Sequence, residues 1–386
     1  MSTVLIPANL DYVPFNETEL FYIRVCITPE NWHSFDKNPD LLNHIRLNYF
    51  TGCNSSYPRF DPGSWPYKLH PCAEHNLISL TDRPVFSDFE TITTIRVQEL
   101  KLRAEKYNEI YFFYSGGIDA TTVLCSMLIN WDKVTLSKLR VVMNQYSIDE
   151  NPMMFRNHIE GKFAIIPIED FYSRKIVFSN DAIYTGGMCA DKIFGYDGVI
   201  EFDTRYPDKY QKPWRQNRDT IIDHFSSLSK SRDSGIFAYE TVAESIERFL
   251  PESESIFDFL SWISFNWGYN NGVYSMAWAL GHLPNEIDSK KWLSENCFTF
   301  FNSEEYQYWY LGTIDSPERM GSTAKMYKYA AKKYIYDFNK DIEYFLNKTK
   351  EKSLPRNPEH NSMYRFYAVD TNYTFYYQQT PITPWH

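Results

Sequence analysis

Glycine and proline are scarce in this sequence, with 15 and 20 residues out of 386. Their combined share lies below average usage, which excludes collagen-like and low-complexity chains. Apolar residues make up 43% of the chain and aromatic residues 18%, so there is ample material for hydrophobic cores. A chain of this length is typical of two or three globular domains.

Closely spaced metal ligands are also missing. The six cysteines form no CxxC pair, and the nine histidines form neither HxH nor HExxH. The sequence therefore has no signature of a zinc site. Cys125 and Cys189 have apolar neighbours along the chain, and we expect both to be reduced thiols inside a core.

Long apolar runs and an excess of positive charge are absent as well. No apolar run approaches the ~18 residues that a membrane-spanning helix needs, and the chain does not begin with a basic segment followed by an apolar run, as a signal peptide would. The net charge of −10 argues against a nucleic acid partner, because binding to a polyanion requires basic surface. These absences predict a cytoplasmic protein without a membrane or nucleic acid partner.

The hydrophobic pattern divides the chain into three parts. Residues 1–91 are irregular and contain a proline-rich stretch, with a short strand predicted at 20–25; residues 92–350 form the main domain; and residues 351–386 are predicted to be an extended tail. Within the main domain, short apolar runs predict strands at 109–114, 139–144, 163–167 and 181–185. Helical stretches alternate with these strands, which predicts an α/β fold with a doubly wound parallel sheet that binds ligands at its carboxyl edge.

Helical spacing marks the connections and the C-terminal part of the main domain. A helix is predicted from residue 92, with Ile92, Ile95 and Leu102 on one face widened by Val97 and Leu100. Further helices are predicted at 119–128, 237–249, 256–280, 303–311 and 322–346. The aromatic residues of the 256–280 stretch are interpreted as core: Trp262, Trp267, Tyr269 and Trp278.

The strongest chemical signal is the segment Ser115-Gly116-Gly117-Ile118-Asp119, between a predicted strand and a predicted helix. Successive glycines let backbone N–H groups approach an anion, and a helix start adds partial positive charge. Ser115 supplies a hydroxyl donor, and Asp119 could hold Mg²⁺ against phosphates. The alternative is a plain tight turn with Asp119 as a first-turn carboxylate; the apolar strand and helix on either side argue against it.

This segment resembles the SGGxDS/T loop of the N-type ATP pyrophosphatases, which split ATP between its α and β phosphates. The resemblance implies an adenine nucleotide alpha hydrolase-like fold in which Ser115, Gly116 and Gly117 hold the pyrophosphate portion of ATP. Ala120 stands where that family usually has serine, and Thr121 beside it supplies the remaining hydroxyl.

Residues 185–195 are similar to the SGEGADELFG segment of asparagine synthetases. By this resemblance Gly186 and Gly187 line the ATP phosphates, and Asp191 is a second Mg²⁺ ligand. Met188 replaces the glutamate between the first two glycines of that segment, and Cys189 replaces the second of those glycines. Lys192 replaces the glutamate after the metal-binding aspartate. These departures argue against ordinary asparagine synthesis.

The predicted helix at 322–346 carries a third similarity. Residues 325–332 resemble the asparagine synthetase helix whose lysine binds the α-phosphate, and Lys328 matches that lysine. Lys325 is expected one turn earlier on the same face, where it would also bind the nucleotide. Lys332 and Lys333 are interpreted as surface lysines.

Together these resemblances imply an AMP-forming ligase. Mg-ATP would adenylate a small-molecule carboxylate, and ammonia or an amine would then displace AMP to form an amide. Asp119, Asp191 and Lys328 would be the catalytic residues, with both aspartates on Mg²⁺. The ATP-binding set would be Ser115, Gly116, Gly117, Asp119, Thr121, Gly186, Gly187 and Lys325.

The nitrogen source and two other functions stay open. The chain starts Met1-Ser2 rather than with the cysteine nucleophile of a glutaminase domain. Nitrogen is therefore expected as ammonia, as an amine substrate, or from a separate donor or carrier protein. The alternative functions are adenylation of a nucleobase or tRNA carbonyl, and nucleotide binding without catalysis.

Overall fold

The fold is seen in a computed structural model that describes residues 13–14, 59–60, 78–80, 88–173, 175–195, 198–229, 231–269, 289–349, 365–369 and 375–379. The chain forms two compact units, each built from separate stretches of sequence. The sheet unit comprises Ile78–Ile200 and Ser275–Pro355, and the helical unit comprises Met1–Leu77, Glu201–Tyr274 and Arg356–His386. The boundaries predicted at residues 91 and 350 follow sequence motifs rather than contacts, and they stay predictions.

A five-stranded, entirely parallel sheet organises the sheet unit. Its strands, in chain order, are β1 (Glu109–Phe113), β2 (Leu139–Met143), β3 (Ala164–Pro167), β4 (Ala182–Gly186) and β5 (Cys297–Thr299). In space they lie in the order β3-β2-β1-β4-β5. The prediction of a parallel α/β sheet is confirmed, and all four predicted strands are present within one residue at each end.

The register places β1 at the centre of the sheet. Phe112 pairs with Val141 of β2 on one side and with Thr185 of β4 on the other. Both Phe112 and Val141 are fully buried, as expected for a strand covered on both faces. An aromatic cluster packs on the sheet, with members Phe113, Phe171, Phe178, Tyr184 and Trp292.

Helix α1 (Phe89–Ala104) begins after Asp88, whose carboxylate accepts a hydrogen bond from the Thr91 N–H. The sequence-based choice of its buried face is wrong in part. Ile95 and Leu102 are 42% and 66% exposed, whereas the buried positions are Phe89, Ile92, Thr93, Val97, Leu100 and Ala104. Apart from the adjacent pair Ile92 and Thr93, these positions are three or four residues apart and follow one stripe of the helix, from which Ile95 and Leu102 are rotated away.

Helix α2 (Ile118–Asn130) follows β1 directly, as predicted. Nine of its thirteen residues are buried, which matches a helix enclosed by its neighbours. Helices α3 (Gln145–Glu150) and α4 (Ala190–Ile193) follow β2 and β4. The other helices of this unit between residues 88 and 320 are Lys133–Ser137, Pro152–Met154, Ile168–Tyr172, Ser289–Asn296, Glu304–Gly312 and Pro317–Met320, with a π-helical turn at Phe155–Ile159.

The prediction of one continuous helix at 322–346 is wrong. The segment forms a 3₁₀ turn (Ala324–Met326), helix α5 (Tyr329–Asn339) and helix α6 (Ile342–Asn347). Lys328 and Lys340, which flank α5, have φ angles of +62° and +56°, and a left-handed residue interrupts a right-handed helix. The Lys328 N–H is bonded to the carbonyl oxygen of Arg319 rather than to a residue of its own turn.

The helical unit contains helices Val199–Arg205, Arg218–Ser229, Arg232–Phe249 and Ile256–Trp262, a 3₁₀ turn at Trp214–Asn217 and a π-helical turn at Ile263–Trp267. Trp262, Trp267 and Tyr269 are at most 2% exposed, which confirms that they are core residues. Residues 270–280 of the predicted helix, including Trp278, lie outside the described residues, as does the predicted strand at 20–25.

Three short strands form an antiparallel sheet in the order Val13–Pro14, Phe375–Gln379, Arg365–Val369. The two strands of the predicted extended tail are therefore paired with each other, and the rest of the tail lies outside the described residues. Among the residues that the structure describes, no helix has both the length and the apolar character needed to cross a membrane.

Candidate active site

The strand order creates a crevice between the ends of β1 and β4. From β1 the chain continues to β2 on one side of the sheet, and from β4 it continues to β5 on the other side. The connections therefore diverge, and in open parallel sheets ligands bind at such a switch point. Asp119 follows β1 and Asp191 follows β4, so both aspartates start from the edges of this crevice.

Three glycines allow the connections after these two strands to pack closely. Gly116 has φ +76°, and a side chain on it would overlap the carbonyl oxygen of Ser147 in α3. A Cβ on Gly187 would lie 2.5 Å from the Ala120 backbone nitrogen in α2, and one on Gly186 would lie 3.0 Å from the Phe113 carbonyl oxygen. Backbone packing thus accounts for Gly116, Gly186 and Gly187, and it brings the loop after β4 against the start of α2.

Backbone packing does not explain the glycine at position 117. Its φ of −71° is accessible to any residue, and a Cβ at this position would meet only the Ser115 hydroxyl, at 3.3 Å. Gly117 is the N-cap residue of α2, and no side-chain hydrogen bond caps that helix. No side chain therefore occupies the cap position, and the positive end of the helix dipole suits an anionic ligand.

Lys328 joins the two aspartates. Its Nζ lies 2.8 Å from Oδ1 and 2.9 Å from Oδ2 of Asp119, and it also donates to Oδ1 of Asp191. Lys328 is only 2% exposed, whereas the side chains of Asp119 and Asp191 are 20% and 23% exposed. Residues 209 and 137 positions apart in sequence therefore meet in one cluster, which carries a net charge of −1 from these three groups.

The left-handed backbone at Lys328 is what directs it to this place. Lys328 precedes α5 as its N-cap residue, and α5 packs against α2, the helix that carries Asp119. Because Lys325 belongs to the preceding 3₁₀ turn and its side chain is exposed, the expected helical face shared by Lys325 and Lys328 does not exist. The structure places the Lys325 side chain outside this cluster.

Lys332 is not the surface lysine that the sequence suggested. It is fully buried, and its Nζ donates to the backbone carbonyl oxygen of Lys325. Burial, reinforced by the positive charges of Lys328 and Lys348, lowers the pKa of Lys332 to about 8. Lys333 does match its interpretation, since it is exposed and pairs with Asp337 on the same helix.

A network of buried hydroxyl groups contacts the glycine loop at Gly116. The Thr121 hydroxyl donates to the Gly116 carbonyl oxygen at 3.3 Å, and the Tyr344 hydroxyl donates to the same oxygen at 3.1 Å. The Tyr114 hydroxyl lies 3.3 Å from Thr121 Oγ1. Tyr344 belongs to α6 and was missed by sequence reasoning, because no local pattern links a helix 228 residues away to the loop.

The departures at 188–192 also have structural consequences. Met188 packs against the aromatic cluster of the sheet, and Lys192 is 8% exposed. Cys189, which replaces a glycine of the similar segment, has φ +72°. Glycine adopts that conformation without strain, whereas a residue with a Cβ does not. The backbone at Cys189 therefore has a conformation that favours glycine.

Among the described residues no cluster of three or more His, Cys, Asp or Glu side chains could hold a metal ion. Cys125, Cys189 and Cys297 are buried free thiols, which confirms the expectation for the first two. The chain matches no protein-family model, and no curated protein sequence matches it.

Proposed function

We propose that this chain is an ATP-dependent, AMP-forming ligase that activates a carboxylate as its adenylate and transfers it to ammonia or an amine. The observation that carries the proposal is the meeting of Asp119, Asp191 and Lys328 at the switch point of a parallel sheet. The resemblances described above independently name these three residues. An adenine nucleotide alpha hydrolase-like fold is part of the proposal.

The two carboxylates suit Mg²⁺. Both already contact one cation, the Lys328 ammonium, so they are arranged to share a positive charge. Protein sites for Mg²⁺ in nucleotide enzymes use one or two carboxylates together with substrate phosphates rather than a cage of protein ligands. Asp119 and Asp191 would hold the metal, which would neutralise charge on the phosphates.

The start of α2 suits the pyrophosphate portion of ATP. No side chain caps this helix at Gly117, and Ser115 lies next to it with a hydroxyl that can donate to a phosphate oxygen. Gly187 contributes by letting the loop after β4 pack against α2, and Gly186 by letting the end of β4 pack against Phe113 of β1. The anion-binding groups and Asp119 are then on one loop and helix after β1, and Asp191 follows the neighbouring strand β4.

Lys328 suits the α-phosphate. A lysine ammonium held among partly buried carboxylates is fixed in place, and fixed charges stabilise a transition state better than mobile ones. Attack by a carboxylate oxygen on the α-phosphorus adds negative charge there, and Lys328 would offset it. The amine or ammonia that completes the reaction would come from solution or from a separate donor or carrier protein.

The test is the position at which ATP is cut. Purified protein is incubated with Mg²⁺ and a panel of small carboxylates and amines, and either ATP, α,β-methylene-ATP or β,γ-methylene-ATP. The proposal predicts AMP and pyrophosphate from ATP, AMP from β,γ-methylene-ATP, and no cleavage of α,β-methylene-ATP. Asp119→Asn should abolish cleavage, whereas the exposed Asp337→Asn should not.

ADP and phosphate as products would contradict the proposal. AMP formation that depends on added RNA rather than on small carboxylates would favour adenylation of a nucleobase carbonyl. Nucleotide binding without cleavage across the whole panel would favour the non-catalytic alternative.

A further inference from the structure

We propose that Tyr344 is a positioning residue that fixes the orientation of the Gly116–Gly117 peptide, so that its N–H group faces a bound polyphosphate. The inference rests on the proposed function and deepens it, because it assigns the pyrophosphate-binding loop a support from a distant helix. Tyr344 is 7% exposed, and its hydroxyl contacts the carbonyl oxygen of that peptide.

The Gly116 carbonyl oxygen accepts two hydrogen bonds. The Tyr344 hydroxyl donates at 3.1 Å and the Thr121 hydroxyl at 3.3 Å. These two hydroxyls also lie 3.4 Å apart, so both approach the Gly116 carbonyl oxygen from the same side. A carbonyl held by two buried donors has little freedom to turn.

Peptide geometry transmits this constraint to the other side of the loop. The Gly116 carbonyl and the Gly117 N–H belong to one planar trans peptide, and they point in opposite directions. Holding the carbonyl oxygen toward Tyr344 therefore turns the Gly117 N–H away from the interior. That N–H lies 3.3 Å from Ser115 Oγ, a long and weak hydrogen bond that an anion could replace.

Two consecutive glycines make such a support necessary. Glycine occupies positive and negative φ about equally well, so the peptide between Gly116 and Gly117 could flip without steric cost to either residue. A flip would point a carbonyl oxygen at the ligand and repel a phosphate. The two hydroxyl donors favour the orientation that attracts an anion.

Helix α6 is itself fixed beside the loop. The Asp341 carboxylate caps the helix by accepting from the Tyr344 N–H, and Lys348 after its last turn forms a buried ion pair with Glu150 of α3. A Cβ on Gly116 would lie 2.6 Å from the Glu150 Cβ, so this ion pair adjoins the same loop. Burial raises the pKa of the Tyr344 hydroxyl well above 10, which keeps its proton available for donation at neutral pH.

The experiment compares Tyr344→Phe with Tyr336→Phe. The first removes only the hydroxyl that contacts Gly116, and the second removes a half-buried hydroxyl on α5 that contacts none of the loop. Binding of inorganic pyrophosphate and of α,β-methylene-ATP, each with Mg²⁺, is measured by calorimetry, and melting temperatures are recorded. Loss of one neutral hydrogen bond that orients the loop should weaken binding of both probes about threefold to tenfold.

Thr121→Val supplies the second arm, which stands even where Tyr344→Phe fails to fold. It removes the other donor to the Gly116 oxygen, while Thr121→Ser keeps that donor. We expect weaker binding in Thr121→Val and recovery in Thr121→Ser. Once a substrate is known, Tyr344→Phe should raise the KM for ATP and leave kcat nearly unchanged, because the loop holds ATP equally in ground and transition states.

Three results would overturn the inference. Tyr344→Phe could bind both probes as tightly as the wild type, Tyr336→Phe could lose affinity equally, or Tyr344→Phe could lower only the melting temperature. If the wild type bound neither probe, the proposed function itself would fail and this inference would fail with it. That outcome is distinguishable, since it appears before any variant is made.

Discussion

Replacing Lys328 with methionine would remove the ammonium that joins Asp119 to Asp191 and keep most of the side-chain volume. Two carboxylates that contact one nitrogen lie within about 6 Å of each other, where their repulsion at an effective dielectric of 20 is about 3 kcal/mol. The variant should therefore be less stable than the wild type in the absence of divalent cations. Addition of Mg²⁺ or Mn²⁺ should restore much of this loss.

The same change should strengthen binding of a divalent cation without nucleotide. In the wild type a cation can reach both carboxylates only after at least one charge-assisted hydrogen bond to Lys328 is broken, at a cost of about 1.5–3 kcal/mol. Methionine removes that cost, which corresponds to about tenfold to a hundredfold tighter binding. Adenylation should nevertheless fall about 10²–10³-fold, since the donor for the α-phosphate is gone.

The assay is a Mn²⁺ titration by calorimetry or electron paramagnetic resonance, together with melting temperatures at several Mg²⁺ concentrations. Lys333→Met is the matched control, because Lys333 is exposed and pairs with Asp337 within α5. Equal Mn²⁺ affinity in Lys328→Met and the wild type would refute the reasoning. Equal affinity would mean that a cation binds without breaking the hydrogen bonds between Lys328 and the two aspartates. The two carboxylates would then not be the cation site described here.

Three further predictions follow from single positions. Cys189→Gly should stabilise the fold by about 1 kcal/mol, because Cys189 has φ +72° and glycine removes that strain. Chemical denaturation would measure the change, and a loss of stability would contradict a strained backbone at Cys189. Gly187→Ala should destabilise the fold by about 1–3 kcal/mol through overlap with the backbone of α2, measured in the same way, and unchanged stability would mean that the two loops are not in contact. For Lys332, whose folded pKa of about 8 lies below its ordinary 10.5, the unfolded chain binds the proton more tightly, so its contribution to stability rises between pH 8 and 10.5. The unfolding free energy of the wild type should therefore rise relative to that of Lys332→Met over this pH range. A difference that does not change with pH would contradict the burial of a charged lysine.

The parallel sheet could be predicted from sequence because its evidence is local. Strands β1 to β4 are short apolar runs bounded by turns, and the predicted runs cover the paired residues except Gly186 at the end of β4. Strand β5 has only three residues, too few to produce a pattern of their own. Its strand character comes from pairing with β4, a contact that no local window contains.

The three residues of the observed cluster were named from the sequence, but the way the fold brings them together was not. Asp119 and Asp191 follow strand ends, and a parallel sheet brings such ends to one edge. Lys328 was assigned to the α-phosphate by resemblance and was expected inside a helix, but the structure places it before the start of α5. Its actual position depends on a left-handed backbone and on a hydrogen bond to Arg319, and both are set by tertiary packing.

Burial of polar side chains was the least predictable feature. Lys332 and Lys333 are adjacent and both basic, yet one is fully buried and the other exposed. Their positions on α5 decide this, since neighbouring residues on a helix point about 100° apart. Tyr344 carries no signal at all, because its partner, Gly116, is defined only by the folded chain.

The central claim is that Asp119, Asp191 and Lys328 form one centre for Mg²⁺ and the phosphates of ATP. The most direct test is a crystal structure of the protein with Mg²⁺ and α,β-methylene-ATP. The account predicts metal density on both carboxylates, β and γ phosphates at Gly117 and the start of α2, and Lys328 Nζ in contact with the α-phosphate. A nucleotide bound elsewhere, or a Lys328 that still contacts both aspartates with no metal beside them, would contradict it.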